Sequence, residues 1–169
     1  MLTIQEIHSA RNQLIREIDE VFAGLVYRLE SQGPAHETVE AFESYDKIYP
    51  LSYNTGFFKG KKPTGVIFAT ENVPVYTWKM VFKEIMNRCN ADVDKHRQLM
   101  DLRSRVSGRS RAFLSDRPDG MRSPMQIDNK LYAETHYDTE TLLRILLHRI
   151  LDAVHYDYGN IYISIRNDG

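Results

Sequence analysis

The sequence predicts an α+β fold, with a long N-terminal amphipathic helix followed by a compact β-β-α-(α)-β-β-α-β unit. Three observations carry that expectation. Apolar residues recur at heptad spacing over residues 3–31. Short β-branched and aromatic runs bounded by turn residues then alternate with two strong helical stripes. At 42% hydrophobic and 27% charged over 169 residues, the composition is that of a globular chain long enough to bury a core without a metal or disulfide.

The first helix starts at Thr3, which forms a capping box with Glu6. Ile4, Ile18 and Leu25 fall at one heptad position, and Ile7, Leu14 and Val21 at the other. Arg11 and Arg28 interrupt the seam, Ile15, Phe22 and Leu29 widen it, and Gly33-Pro34 ends it. Two readings stand: a core helix packed on the rest of the chain, or a dimerising coiled coil or helical hairpin. The stripe Ile4, Ile7, Leu14, Ile18, Val21 and Leu25 is long for a small domain to cover, so a homodimer is expected through it. Residues 34–56 are expected as an acidic linker that admits a short helix over Glu37–Tyr45, with Pro50, Asn54 and Gly56 as breakers.

The α+β domain is expected over 57–169. Thr64–Ala69 and Val73–Tyr76 form a hairpin. Thr77 caps a helix with the apolar face Trp78, Val81, Phe82, Ile85 and Cys89, and Asp92 opens a shorter helix. Met125–Ile127 and Leu131–Thr135 flank Asp128-Asn129 as a second hairpin. Asp138 or Thr139 caps a helix carrying Leu142, Leu143, Leu146, Leu147, Ile150, Leu151 and Val154, and Ile161–Ile165 is the last strand.

The net charge of −1 conceals a segregated layout. Residues 1–57 hold 4 basic and 9 acidic side chains, residues 58–130 hold 15 and 8, and residues 131–169 hold 3 and 6. A basic middle between acidic ends implies a face that meets an anion or an acidic partner. Arg103, Arg105, Arg109, Arg111, Arg117 and Arg122 lie in one segment rich in serine and glycine, and Lys59, Lys61 and Lys62 precede the first strand of the hairpin. Guanidinium groups fit phosphate bidentately, and Phe113 between them offers a ring to a base. A phosphate-binding nucleic-acid surface is therefore expected from these ten residues. Pairing of the arginines with acidic groups of this chain or a partner, and binding of a small phosphorylated ligand, remain open beside it.

The segments Phe58–Pro63 (FKGKKP), Thr77-Trp78, Gly108–Ile127 (GRSRAFLSDRPDGMRSPMQI) and Tyr132–Thr135 (YAET) resemble a domain at the C-termini of uncharacterised bacterial and prophage proteins. The resemblance covers about residues 57–166 and departs at His136-Tyr137-Asp138, where that family has Asn-Leu-Ser. Modules of this kind occur beside nuclease, restriction and mobile-element proteins. The resemblance implies a defence-related nucleic-acid role and carries over no catalytic residue.

Other constellations are weaker. His148, Asp152 and His155 share a helical face at metal-ligand spacing, but a solvated face is the default. Asp116 and Asp119 suit a Pro-Asp-Gly turn better than a catalytic pair. Glu134 and His136 suggest an acid–base pair without a nucleophile. No Walker loop, Gly-x-Ser-x-Gly, His-Glu-x-x-His or zinc-type cysteine pairing exists, so no catalytic residue, cofactor or metal is expected. The ten tyrosines, Tyr49, Tyr53 and Tyr162 among them, suit interfaces and stacking surfaces as well as sheet edges. A single Cys89, a start without signal-peptide character and no long apolar run lead to an expected cytoplasmic location with no membrane partner. The function expected is a non-catalytic nucleic-acid-binding or regulatory module; the alternative is an inhibitor or adaptor that docks on a protein through its charged faces.

Overall fold

The computed structural model describes residues 46–103, 105 and 111–167, together with Ala10, residues 13–15, Glu17, Ile18 and Val21. The chain divides into two compact units, Met1–Ser44 and Tyr45–Gly169. In the first, the described residues are helical, and Leu14, Ile15, Ile18 and Val21 expose their apolar side chains. Ile4, Ile7, Leu25 and the expected short helix over 37–45 lie outside the described residues.

The second unit is α+β, built on two antiparallel sheets. The larger orders its strands β1-β7-β2-β3, with β1 at Lys47–Pro50, β2 at Pro63–Phe68, β3 at Glu71–Pro74 and β7 at Ile161–Ile165. The smaller orders them β4-β6-β5, with β4 at Leu114–Ser115, β5 at Pro124–Asp128 and β6 at Leu131–Glu134. Strand alternation sets the inner face of the larger sheet: Ile161, Ile163 and Ile165 are buried, whereas Tyr162 between them is exposed. Pairing of Lys47 with Ile165 and of Pro63 with Ile165 makes β7 the centre of that sheet.

The expected linker over 34–56 thus contains a strand. β1 lies at 47–50, and a 3₁₀ turn follows at Thr55–Phe58. Breaker residues hid both elements. Pro50 ends an edge strand, where a missing N–H is tolerated. Asn54 caps the 3₁₀ turn, its side-chain oxygen accepting from Gly56 N at 2.9 Å. The compact unit that holds both sheets spans Tyr45–Gly169, and its first described strand is β1.

Helix α1 (Trp78–Ala91) packs against β2 of one sheet and β5 of the other, which makes it the common element of the core. Its buried face is Trp78, Val81, Phe82, Ile85, Met86 and Cys89. Thr77 caps it through a hydrogen bond from Met80 N at 3.2 Å. Helix α2 (Val93–Leu102) follows with no spacer, because Asp92 serves both helices: it ends the first in extended conformation and its carboxylate accepts from Asp94 N and Lys95 N at 3.0 Å. Asp92→Ala removes that cap and is expected to cost about 1 kcal/mol, read as a lowered midpoint in urea at unchanged slope.

Helix α3 (Thr139–Arg144) starts at Asp138, which accepts from Thr141 N at 3.0 Å and Thr141 Oγ1 at 2.8 Å. It widens into a π-helix over Ile145–Leu151, where Asp152 N donates five residues back to Leu147 O. The wide winding turns Ile145, Leu146, Leu147, Ile150 and Leu151 inward together, which an α-helical stripe does less completely. The buried apolar residues of the unit form one continuous core.

Candidate nucleic-acid interface

The expected basic surface divides into two places. The first is built on the FKGKKP segment. Trp78 Nε1 donates to Lys61 O at 2.8 Å and pins the turn before β2. Gly60 makes that turn with φ of 76°, a conformation glycine adopts without strain. Arg166 N donates to Lys62 O at 3.0 Å, which holds the end of β7 against the same turn. A groove of about 200 Å³ results, lined by Lys47, Tyr49, Gly60, Lys61, Ile165, Arg166 and Asn167. Lys47, Lys61 and Arg166 are exposed, and among the described residues no carboxylate forms an ion pair with any of them. Lys59 and Lys62 are exposed on the same turn.

Neither Lys47 nor Arg166 was among the expected residues. Lys47 lies in the stretch expected as linker, and Arg166 joins Lys61 only through β-pairing across more than a hundred positions. The one available signal was the alternation of Lys47-Ile48-Tyr49, obscured by the breakers after it.

The second place is the arginine-rich segment. Arg103 is committed to the fold: its Nε donates to Met100 O at 3.0 Å and its Nη1 to Lys130 O at 2.5 Å. Arg105, Arg117 and Arg122 are exposed, and Arg117 lies 3.5 Å from Asp116. Arg111 is half-buried, and Arg109 lies outside the described residues. Phe113 is buried at 8% exposure and meets Tyr137 edge to face at 6.0 Å, so its ring belongs to the core and not to a base.

The carboxylate pattern around Glu134 also resolves. Glu134 is buried and accepts from the backbone amides of Arg122 at 2.6 Å, Ser123 at 2.9 Å and His136 at 2.9 Å. Burial alone raises its pKa, but the amide donors of Arg122, His136 and Ser123 outweigh it and hold the carboxyl below its ordinary value. It is a ligand for the backbone of the arginine-rich segment, with its oxygens taken, rather than an acid or base.

His148 Nδ1 lies 3.0 Å from Asp152, and Tyr158 OH donates to Asp152 at 2.8 Å. His155 leaves the helix with φ of 51° and lies on a turn. Among the described residues no group of three or more His, Cys, Asp or Glu is placed to hold a metal. Cys89 is buried, and burial pushes its thiol up to about 12, as befits a core residue. Among the described residues no helix is long and apolar enough to cross a membrane.

No family model, curated protein or solved structure matches the chain. The likeness to prophage-associated domains rests on the sequence motifs alone.

Proposed function

We propose that the chain is a non-catalytic nucleic-acid-binding module that seats a phosphodiester backbone on the Lys47–Lys61–Arg166 groove. In this reading Lys59 and Lys62, exposed on the turn that carries Lys61, and Arg105, Arg109, Arg111, Arg117 and Arg122 supply further phosphate contacts. The observation that carries the reading is the convergence of three cations without carboxylate partners among the described residues. Such a cluster is costly in its own repulsion and favours a polyanion. The motif resemblance adds a bacterial or mobile-element setting, in defence or its evasion. A retardation assay with DNA and RNA at two salt concentrations tests the reading: binding at low salt that falls steeply at high salt supports it, and no binding at low salt defeats it. Magnesium or manganese added to the same reactions is expected to leave the nucleic acid uncut.

The exposed stripe of Leu14, Ile15, Ile18 and Val21 supports self-association of the module through its first helix. Light scattering is expected to give a dimer mass for the wild type and a monomer mass for Ile18→Asp. A dimer that persists in the variant places the interface elsewhere.

A further inference from the structure

The groove adjoins a cluster of aromatic rings, Tyr49, Tyr53, Phe57 and Phe58, of which Tyr53 is the most exposed. Tyr49 is itself part of the groove wall. Its ring lies 4.6 Å from that of Phe57 and 5.6 Å from that of Tyr53. Lys61 Nζ, one of the groove cations, lies 4.6 Å from the centre of the Phe57 ring. Tyr53 is 44% exposed, and it meets Phe57 edge to face at 5.0 Å and 81°. The Tyr53 amide donates to Pro50 O at 2.9 Å, which fixes the backbone under the ring.

Cations and rings are therefore contiguous: Lys47, Lys61 and Arg166, then Tyr49, then Tyr53. A duplex presents phosphates to such a surface but keeps its base faces stacked inside, so an exposed ring beside the cations has nothing to meet. A single strand presents both groups, a phosphodiester backbone and free base faces, to one side. The ring is held by Phe57 and by its own backbone, so stacking costs little ordering of the protein. Sequence tolerance follows, because every base offers a π-face and the groove cations contact only phosphate.

From this juxtaposition we infer that the groove takes single-stranded nucleic acid in preference to duplex, with the backbone on Lys47, Lys61 and Arg166 and a base stacked on Tyr53. The inference rests on the nucleic-acid reading above and is narrower than it.

Fluorescence anisotropy on the full chain tests it, with labelled oligothymidylate and oligouridylate as the single strands and the oligothymidylate annealed to oligoadenylate as the duplex. Both single strands are expected to bind about tenfold or more tighter than the duplex at equal salt. Similar affinity for thymidylate and uridylate marks a site indifferent to both the 2′-hydroxyl and the thymine methyl, whereas a gap between them shows which strand is preferred; either result supports the inference provided the duplex is weaker. Tyr53→Leu keeps an apolar side chain against Phe57 but removes the π-face, and is expected to weaken single-strand binding about tenfold while leaving duplex binding unchanged. Tyr53→Trp is expected to retain single-strand binding or tighten it. Thermal melts of both variants establish that they fold. Equal binding of strand and duplex, or full single-strand affinity in folded Tyr53→Leu, overturns the inference and leaves the broader reading standing. Failure of every probe at low salt overturns both.

Discussion

Glu134→Ala is expected to destabilise the protein by about 3 kcal/mol, which lowers the melting temperature by roughly 10 °C. The buried carboxylate satisfies three backbone donors, Arg122 N, Ser123 N and His136 N, that belong to two different segments. Removing it takes the acceptor from all three and leaves a cavity where the buried carboxylate stood; an amide left unpaired costs about 1–3 kcal/mol, partly offset because Arg122 and His136 are exposed and water can reach them. Glu134→Gln is expected to cost less, because one amide oxygen still accepts while the new N–H₂ faces donors. The wild type carries an acid dependence of defined sign. The folded carboxyl titrates below its unfolded value, so its stabilisation is present above the unfolded pKa of about 4.3 and is lost as pH falls through the folded value. Glu134→Gln removes that component, so the melting temperatures of variant and wild type are expected to converge as the pH is lowered through this window. A constant gap assigns the acid sensitivity to Asp128, Asp138 or Asp152, whose carboxyls are also held below their ordinary values.

The second large effect is on binding. Lys61→Glu with Arg166→Glu places two anions in the groove beside the remaining Lys47, and is expected to reduce nucleic-acid affinity about a hundredfold or more at low salt. Each reversal removes a phosphate contact and adds a repulsion to the next phosphate. Both side chains are exposed and among the described residues neither makes an ion pair, so the loss of stability is expected to stay near the roughly 0.5–1 kcal/mol that an exposed cation–π contact such as that of Lys61 with Phe57 contributes. Arg103→Ala behaves oppositely. It frees the carbonyls of Met100 and Lys130 and is expected to register in stability more than in affinity.

The elements with a strong local signal were legible in the sequence. Thr77 and Asp92 cap helices, one of the two expected caps, Asp138 rather than Thr139, starts the third, Asp128-Asn129 leads the chain into a hairpin turn, and Ile161–Ile165 is a strand. Each depends on neighbours within a few residues. β1 was not legible, because Pro50 and Asn54 mark an edge strand and a 3₁₀ cap as readily as a linker. Nor was the π-helix, since Leu142–Leu151 satisfies either winding and the choice is made by the core it meets. The site divides the same way. Lys59, Lys61 and Lys62 declare themselves by density. Lys47 and Arg166 acquire their place from pairing with β7 and β2, which no local pattern encodes. Density alone did not show that Phe113 fills the core or that Arg103 also binds two carbonyls. Charge and aromaticity along the chain cannot tell a group offered to a ligand from one consumed by the fold.

The Lys47–Lys61–Arg166 groove, as a proposed seat for phosphates, makes a quantitative expectation for salt dependence. The most direct measurement is the slope of log affinity against log salt for single-stranded oligothymidylate, compared between wild type and Lys47→Ala/Lys61→Ala/Arg166→Ala. Loss of three phosphate contacts is expected to flatten the slope by about 2, at roughly 0.7 per contact on a single strand. Arg149→Ala, an exposed cation on the π-helix, is expected to leave it unchanged. A triple variant whose slope equals that of the wild type rules out phosphate contact at the groove.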